Sequence, residues 1–239
     1  MRTVAIIPAR GGSKGIPRKN LRRVAGRSLV GWSVLAGLEA ELVDEVVVSS
    51  EDQEILEEAI RCGAHPLQRP EELATDEATT DAVLWHAMNA LGWKHGMVVL
   101  LQPTVPARPP GLVDAAIRRL VETGADSLFT GEPLHFVWKR VCRTNHGGEL
   151  VLGPLRQDNC LGARIRRQDF QEADLRWRED GSVFVTRAKL LAETRARLGG
   201  KIEMLPNTRT VDIDTEAQLQ VAEALLMASV GRDLTGVVT

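Results

Sequence analysis

The sequence predicts an α/β fold in which a mostly parallel sheet carries helices on both of its faces. Short runs rich in Val and Ile alternate with longer segments of helical periodicity, which is typical of parallel strands joined by crossover helices. The chain has 239 residues, of which 44% are hydrophobic, and this is enough for one sizeable core. The first apolar run also leads directly into a glycine-rich loop, a frequent ligand site at the edge of such a sheet.

The first half of the chain alternates strands with helices. Apolar runs predict strands at 3–8, 44–49, 97–101 and 126–131. Between them, helical spacing of apolar residues predicts helices at 29–40, 51–62, 80–91 and 112–123. Right-handed crossovers bring the carboxyl ends of parallel strands to one edge of the sheet, so the loops at that edge are where we expect a ligand.

The second half contains an interruption. From about 135 to 180 the alternation gives way to short runs rich in glycine and charge, which predicts an excursion lobe. Regular structure then returns as a strand at 182–186, a helix at 188–197, a strand at 210–213 and a helix at 215–228. We therefore predict a single domain over 1–229 that includes the lobe, followed by a tail at 230–239.

Composition excludes several classes of protein. The formal net charge of −2 gives no general basic field for nucleic acid or for an anionic membrane. The three cysteines are widely separated and form no CxxC pair, which indicates free thiols in a reducing compartment. No signal-peptide pattern opens the chain, and no apolar run approaches the ~18 residues of a membrane span. These features predict a cytoplasmic protein.

The opening loop has the composition of a phosphate site. Residues 4–21 read VAIIPARGGSKGIPRKNL, so a strand runs into a glycine-rich turn whose backbone N–H groups are exposed. Arg10, Lys14, Arg18 and Lys19 add positive charge suited to a polyphosphate. The loop matches neither GxxxxGK[ST] nor GxGxxG, which excludes two common nucleotide motifs. On composition alone, a solvated glycine-rich loop remains the alternative.

The segment IPARGGSKGIPRKNL resembles the signature of the acylneuraminate cytidylyltransferases, also called CMP-sialic acid synthetases. Further similar segments follow in the family's order and span nearly the whole chain: VVVSSEDQEI, RPEELATDEATTDAV, LLQPTVPAR, RRQDF and VDIDTEAQLQVAEALL. The resemblance implies a Rossmann-like nucleotidyltransferase fold that binds CTP and Mg²⁺. It also implies a homodimer whose excursion lobes interlock.

The same resemblance implies the reaction, in which CMP passes from CTP to the anomeric hydroxyl of a nine-carbon keto acid and pyrophosphate is released. Because attack on the α-phosphate concentrates negative charge, positioned cations and a metal should supply most of the catalysis. The resemblance makes Arg10, Lys14 and Lys19 the catalytic cations, with Lys19 stabilising the leaving pyrophosphate. The nucleotide contacts that it implies are Arg10, Gly11, Gly12, Ser13, Lys14, Lys19, Asn20, Arg69 and Thr80. For Thr79 or Thr80, an N-cap role before the next helix is the alternative.

A pair of aspartates is the candidate metal site. In VDIDT, Asp212 and Asp214 lie two residues apart, so on a strand they share one face and could bind a hard, oxygen-seeking cation. From spacing alone, an exposed pair of carboxylates at a strand end is equally compatible. The resemblance assigns both to Mg²⁺ that bridges phosphate oxygens. Which aspartate, if either, also assists deprotonation of the hydroxyl stays open.

The candidate acceptor contacts come from a strand end and from the lobe. Gln102 leaves a strand just before Pro103, where a polar side chain reaches the active edge, although a turn-capping amide is the alternative. The resemblance assigns Gln102 to the acidic sugar. It assigns Lys139 and Arg167 of the lobe to the sugar carboxylate, for which a guanidinium is suited because it can bind bidentately.

One departure from the family concerns the acceptor. The usual NGAIY reads DGSVF here at 180–184, so Asp180 places a carboxylate where the family has an amide. An added negative charge beside an anionic substrate changes which acid binds, and we therefore expect Asp180 to contact the acceptor and to influence its choice. The acid could be N-acetylneuraminic, legionaminic, pseudaminic or a deaminated nonulosonic acid.

Other functions remain open at this point. A cytidylyltransferase for an eight-carbon keto acid or a phosphonate would share the phosphate loop and differ in the lobe. A nucleotide-binding regulator would bind CTP without releasing pyrophosphate, although Lys19, Asp212 and Asp214 argue against it. A nicotinamide oxidoreductase is disfavoured because the glycine spacing is wrong for that cofactor.

Overall fold

The computed structural model describes residues 2–135, 137–144, 150–157, 168, 170–171, 175–208 and 210–233. The strands are β1 (Thr3–Pro8), β2 (Arg23–Val24), β3 (Arg27–Ser28), β4 (Glu45–Ser50), β5 (His65–Gln68), β6 (Met97–Leu100), β7 (Ser127–Leu134), β8 (Trp138–Thr144), β9 (Leu150–Gln157), β10 (Arg176–Arg187) and β11 (Ile202–Pro206). The helices are α1 (Leu29–Leu38), α2 (Gln53–Arg61), α3 (Thr80–Ala90), α4 (Leu112–Thr123), α5 (Ala188–Thr194) and α6 (Glu216–Asp233). None of the described helices is long and apolar enough to cross a membrane.

Within the described residues, seven strands form one sheet in the order β11-β7-β10-β6-β1-β4-β5. β1 is parallel to both of its neighbours, β4 and β6, and β4 is parallel to β5. β10 runs antiparallel to β6. Because the inner strands are buried on both faces, they appear in the sequence as continuous apolar runs rather than as alternating ones. The predicted α/β fold with a mostly parallel sheet is confirmed.

Helices cover both faces of the sheet, as predicted. Ala5 and Ile7 of β1 belong to a cluster with apolar side chains of α1, α2 and α4. The alternate residues Val4 and Ile6 belong to a second cluster with α3 and α5. A third cluster joins buried Ile16 of the opening loop to Ile213 and to α6. The opening loop and the segment that contains the candidate metal ligands are therefore packed through one apolar core.

The chain divides into two compact units. One comprises 1–130 and 180–239, and the other comprises 131–179. The second unit contains the antiparallel pair β8 and β9, whose register is shifted between Arg140 and Cys142. This division falls close to the bounds of the excursion lobe that the loss of α/β alternation predicts.

Several element predictions need correction. The strand predicted at 210–213 is wrong: this segment joins no ladder, and Ile213 is fixed by one N–H bond to the Thr104 carbonyl and by complete burial. α5 ends at Thr194 because Arg195 adopts a left-handed conformation, and α6 continues to Asp233 instead of ending at 228. β5 was not predicted, since it is a short edge strand with little burial.

Candidate active site

A cavity of about 510 Å³ lies at the carboxyl ends of β1 and β6. It is the expected position for a ligand in an open α/β sheet. All of its lining residues belong to the first unit. They come from the end of β1 and the opening loop, the segment between β5 and α3, the start of α3, the loop after β6 and the segment before α6. The predicted site residues that it brings together are Arg10, Ser13, Lys14, Lys19, Asn20, Arg69, Thr80, Gln102 and Asp214.

Other predicted site residues do not line this cavity. Gly11, Gly12, Asp180 and Asp212 are absent from its wall as the described residues define it. Lys139 lies in β8, but its side chain is outside the described part of the chain, as is the whole of Arg167. Asp212 and Asp214 are both exposed and flank buried Ile213, and they do not lie on a strand.

Lys19 joins the opening loop to the segment before α6. Its Nζ donates to the Ile213 carbonyl at 2.7 Å and lies 3.1 Å from Asp214 Oδ1. The Lys19 side chain is 15% exposed, whereas that of Asp214 is 73% exposed. Gly15 allows this close approach, because a Cβ at Gly15 would lie only 2.6 Å from the Asp214 carbonyl oxygen. The loop and the aspartate therefore form one connected wall of the cavity.

Two basic side chains of the loop share a carboxylate that was not among the predicted site residues. Asp76 Oδ1 accepts from Arg10 Nη1 at 2.8 Å, and its Oδ2 lies 2.6 Å from Lys14 Nζ. These hydrogen bonds, from Lys14 and then from Arg10, lower the pKa of Asp76. Asp76 also lines the cavity. The cations predicted to hold phosphate are thus paired with a carboxylate of the same cavity.

Gly11 does not offer its N–H group to the cavity. That N–H donates to Glu51 Oε1 at 2.6 Å, and a Cβ at Gly11 would collide with Asp52, the N-cap of α2. Glu51 Oε2 accepts from Arg69 through Nε at 3.2 Å and Nη2 at 2.9 Å. The Gly11 N–H is therefore bonded to a carboxylate of the protein, and the predicted nucleotide contact at Gly11 stays a prediction.

The start of α3 resolves the alternative left open for its threonines. Thr79 is the N-cap, since its hydroxyl accepts from the Ala82 N–H at 3.2 Å. Thr80 is the first helical residue and lines the cavity. Asn20 is also fixed beside the loop, where its Nδ2 donates to the Arg10 carbonyl at 2.8 Å. Capping and cavity lining therefore belong to different threonines.

A family model for cytidylyltransferases matches residues 4–145, more than half of the chain and the part that holds most of this cavity. The chain belongs to the cytidylyltransferase family.

Individual relatives agree with this assignment. A CMP-N,N'-diacetyllegionaminic acid synthase of Legionella pneumophila is 31% identical, covering 95% of this chain and 97% of that protein. A pseudaminic acid cytidylyltransferase of Campylobacter jejuni is 29% identical, with 94% and 96% covered. An N-acylneuraminate cytidylyltransferase of Oncorhynchus mykiss is 35% identical over 92% of this chain, which spans only 49% of that protein. This cytidylyltransferase is accordingly an enzyme of the acylneuraminate cytidylyltransferase type.

The fold of the cytidylyltransferase also matches a solved structure. A CMP:2-keto-3-deoxy-manno-octonic acid synthetase complexed with CTP superimposes with a TM-score of 0.69, covering 96% of this chain and 100% of that one. The sequence identity is 15%, so this likeness shows the fold alone. The predicted Rossmann-like nucleotidyltransferase fold is confirmed.

Asp180 lies in a buried hydrogen-bond network of the cytidylyltransferase instead of on the cavity wall. Its Oδ1 accepts from the Thr130 hydroxyl at 2.6 Å and from the Ser182 N–H at 2.8 Å. Its Oδ2 accepts from Asn207 Nδ2 at 2.6 Å. Both carboxylate oxygens thus face protein donors, and the predicted contact between Asp180 and the acceptor stays a prediction.

Replacing Asp180 with Asn is expected to lower the free energy of unfolding by about 1–3 kcal/mol. An amide nitrogen at either oxygen position would face a donor, because Oδ1 and Oδ2 both accept in this network. Urea unfolding followed by circular dichroism measures the change. Asp212→Asn serves as the control, since Asp212 is exposed and should leave the unfolding midpoint unchanged. Equal midpoints for Asp180→Asn and the parent would contradict the buried network.

Proposed function

We propose that this cytidylyltransferase transfers CMP from CTP to the anomeric hydroxyl of an acidic nine-carbon keto sugar. The observation that carries the proposal is a single cavity in which Arg10, Lys14 and Lys19 share the wall with Gln102 and Asp214. The acceptor oxygen attacks the α-phosphorus, the bond from that phosphorus to the bridging oxygen breaks, and pyrophosphate leaves. The proton of the acceptor hydroxyl is lost to solvent or to a base in the site.

The basic residues of the opening loop are proposed to bind the triphosphate. Three cationic side chains in one cavity offset the charge that builds on the leaving pyrophosphate, and they lower the barrier because they are positioned before reaction. Of these three cations, Lys19 has the least exposed side chain. The Ile213 carbonyl and Asp214 hold its ammonium at the cavity wall. We assign Lys19 to the leaving group for this reason.

The aspartates before α6 are proposed to hold Mg²⁺ together with the phosphates. Magnesium in nucleotide enzymes commonly takes one or two carboxylates and completes its shell with phosphate oxygens and water. Asp214 on the cavity wall and exposed Asp212 beside it supply carboxylates of that kind. When bound, the ion would neutralise phosphate charge and polarise the α-phosphate. The chain's own part is to fix these carboxylates, which Ile213 does through its burial and its bond to Thr104.

Gln102 is proposed to contact the acidic sugar, because it is the amide residue that lines the cavity just after β6. The relatives are named for pseudaminic, N-acylneuraminic and diacetyllegionaminic acids. These names support an acidic nine-carbon sugar as the class of acceptor, and they do not single out one acid. Lys139 and Arg167 of the lobe remain proposed contacts of the sugar carboxylate. We also propose that the protein forms a homodimer and that it is located in the cytoplasm.

The Asp76 carboxylate is expected to compete with CTP for the loop cations. Asp76→Asn removes the competing charge from Arg10 and Lys14, so CTP should bind roughly three- to tenfold more tightly at low ionic strength. Isothermal titration with CTP measures the dissociation constant. Asp81→Asn is a matched control, because Asp81 is also paired with an arginine, Arg197, but lies outside the cavity. Weaker CTP binding by Asp76→Asn would show that Asp76 assists the nucleotide.

The function is tested by pyrophosphate release from CTP and Mg²⁺ with a panel of acceptors. The panel contains N-acetylneuraminic, legionaminic, pseudaminic and ketodeoxyoctulosonic acids and a phosphonate, with a reaction lacking acceptor as the control. Release with one nine-carbon acid, accompanied by the mass of its CMP adduct, supports the proposal and identifies the acceptor. Release only with the eight-carbon acid or the phosphonate overturns the nine-carbon assignment.

A different pattern would indicate a regulator. Such a protein binds CTP in a calorimeter but releases no pyrophosphate with any acid of the panel. UTP and ATP in place of CTP test whether the base is selected. Equal release with all three nucleotides would contradict a cytidylyltransferase reaction.

A further inference from the structure

Arg108 lies beside Gln102 but does not line the active-site cavity. Within the described part of the chain, none of its hydrogen bonds goes to a carboxylate. Its Nη2 donates to the Gln102 carbonyl at 2.6 Å, its Nε to the Ser182 carbonyl at 2.7 Å, and its Nη1 to the Ser33 hydroxyl at 3.0 Å. One guanidinium therefore joins the loop after β6, the strand β10 and the helix α1. A lysine has a single ammonium and cannot reproduce this planar set of donors.

The side chain of Gln102 is confined from the same direction. A Cβ on Gly181 would lie 2.6 Å from Gln102 Oε1, so only a glycine leaves room for the amide in its present position. Gly181 also has a φ of 75°, a left-handed conformation that favours glycine. The residue that Arg108 holds on β10, Ser182, follows Gly181 directly. The guanidinium thus fixes both the backbone of Gln102 and the strand against which its amide rests.

We propose that Arg108 is a positioning residue for the acceptor subsite, where it holds Gln102 and Gly181 at a fixed separation. This inference rests on the proposed function, because Gln102 is assigned there to the acidic sugar. Groups that orient a substrate lose much of their effect when they move by a fraction of an ångström to an ångström. A side chain outside the cavity therefore controls how well one wall of the cavity fits the acceptor.

The charges around Arg108 agree with a fixed role. Removal of the guanidinium from water lowers the pKa of Arg108 to about 9, and the charge of Asp180 acts in the opposite direction. The guanidinium stays charged at neutral pH. The hydrogen bonds of the guanidinium go to neutral oxygens of Ser33, Gln102 and Ser182. Asp180 and Arg108 also bond to the same residue, because Asp180 Oδ1 accepts from the Ser182 N–H at 2.8 Å and Arg108 Nε donates to the Ser182 carbonyl at 2.7 Å.

The test is Arg108→Met, which keeps an unbranched apolar stem and removes every donor. With the acid that gives the fastest pyrophosphate release, the KM for acceptor should rise between about tenfold and a hundredfold. The KM for CTP should stay within about twofold, because the loop cations belong to another wall of the cavity. Arg108→Lys should recover part of the loss, since an ammonium can still donate to one or two of the carbonyls.

The matched control is Arg187→Met. Arg187 ends the same strand, β10, and its Nε donates to the Ala125 carbonyl at 2.8 Å, away from the cavity. This variant also removes an arginine-to-carbonyl bond, so it reports what loss of stability alone does to the kinetics. Thermal unfolding gives the transition temperature of each variant, and each assay is run below that temperature so that folded proteins are compared. The KM for acceptor should be unchanged in Arg187→Met.

A double-mutant cycle tests whether Arg108 acts through Gln102. If it does, Arg108→Met adds little to the loss already caused by Gln102→Ala. Additive losses, an equal rise of both KM values, or the same acceptor effect in Arg187→Met would each overturn the positioning role. In those cases the parent protein is active, so the proposed function survives. A parent that releases no pyrophosphate with any acid overturns the proposed function, and the inference about Arg108 with it.

Discussion

Asp214→Asn is expected to lower kcat for pyrophosphate release by at least about a hundredfold while the fold is retained. Asparagine keeps the size of the side chain but removes its charge. In the proposed site, that charge binds Mg²⁺ and faces the Lys19 ammonium at 3.1 Å. The high exposure of Asp214 means that the fold does not depend on it. The assay is release at saturating CTP and acceptor over a series of Mg²⁺ concentrations.

The dependence on Mg²⁺ separates the two possible reasons for the loss. If Asp214 is a ligand, Asp214→Asn needs more Mg²⁺ for half-maximal activity, and Asp212→Asn behaves in the same way. Glu216→Gln is the control, because Glu216 makes a similar exposed ion pair with Arg22 just beyond the cavity. Near-normal turnover in both aspartate variants would contradict the assignment to metal. A loss with unchanged Mg²⁺ dependence would instead assign Asp214 to the orientation of Lys19.

The elements that set the position of the site could be predicted from the sequence because their signals are local. β1 is a continuous apolar run, since it is buried between β4 and β6, and the basic loop follows it directly. The parallel order then brings Gln102 from the end of β6 to the same edge. The placement of Thr80 beside a capping Thr79 also follows from the ordinary rules of helix starts.

The contacts that could not be predicted join residues that are distant in the sequence. Asp180 bonds to Thr130 and Asn207, which lie 50 and 27 residues away, so its buried network could not be predicted from the DGSVF segment alone. The strand predicted at 210–213 illustrates a different cause. Its alternation of apolar and acidic residues is real, but Ile213 packs into the core beside α6 instead of joining the sheet.

The acidic residues of the site were missed for a related reason. Glu51 follows the carboxyl end of β4, and Asp76 lies in the segment between β5 and α3, so both reach the predicted ligand edge. A predicted phosphate site leads to a search for basic residues and backbone N–H groups, and acidic residues are overlooked. Yet each of these carboxylates accepts a hydrogen bond from a group that is predicted to bind phosphate. A search for acidic residues at the carboxyl ends of the strands would have found Glu51.

Lys19→Met is expected to reduce kcat by about three orders of magnitude, which corresponds to about 4 kcal/mol of lost transition-state stabilisation. Methionine fills much the same space, while the ammonium that faces Ile213 and Asp214 is removed. Because the charge on the pyrophosphate develops in the transition state, kcat should fall much more than KM for CTP rises. The loss is measured as single-turnover release of pyrophosphate, with folding checked by circular dichroism.

The control is Arg22→Met, which breaks the neighbouring exposed pair with Glu216 and should keep kcat within about twofold of the parent. A drop confined to KM for CTP would show that Lys19 binds the nucleotide without assisting the departure of pyrophosphate.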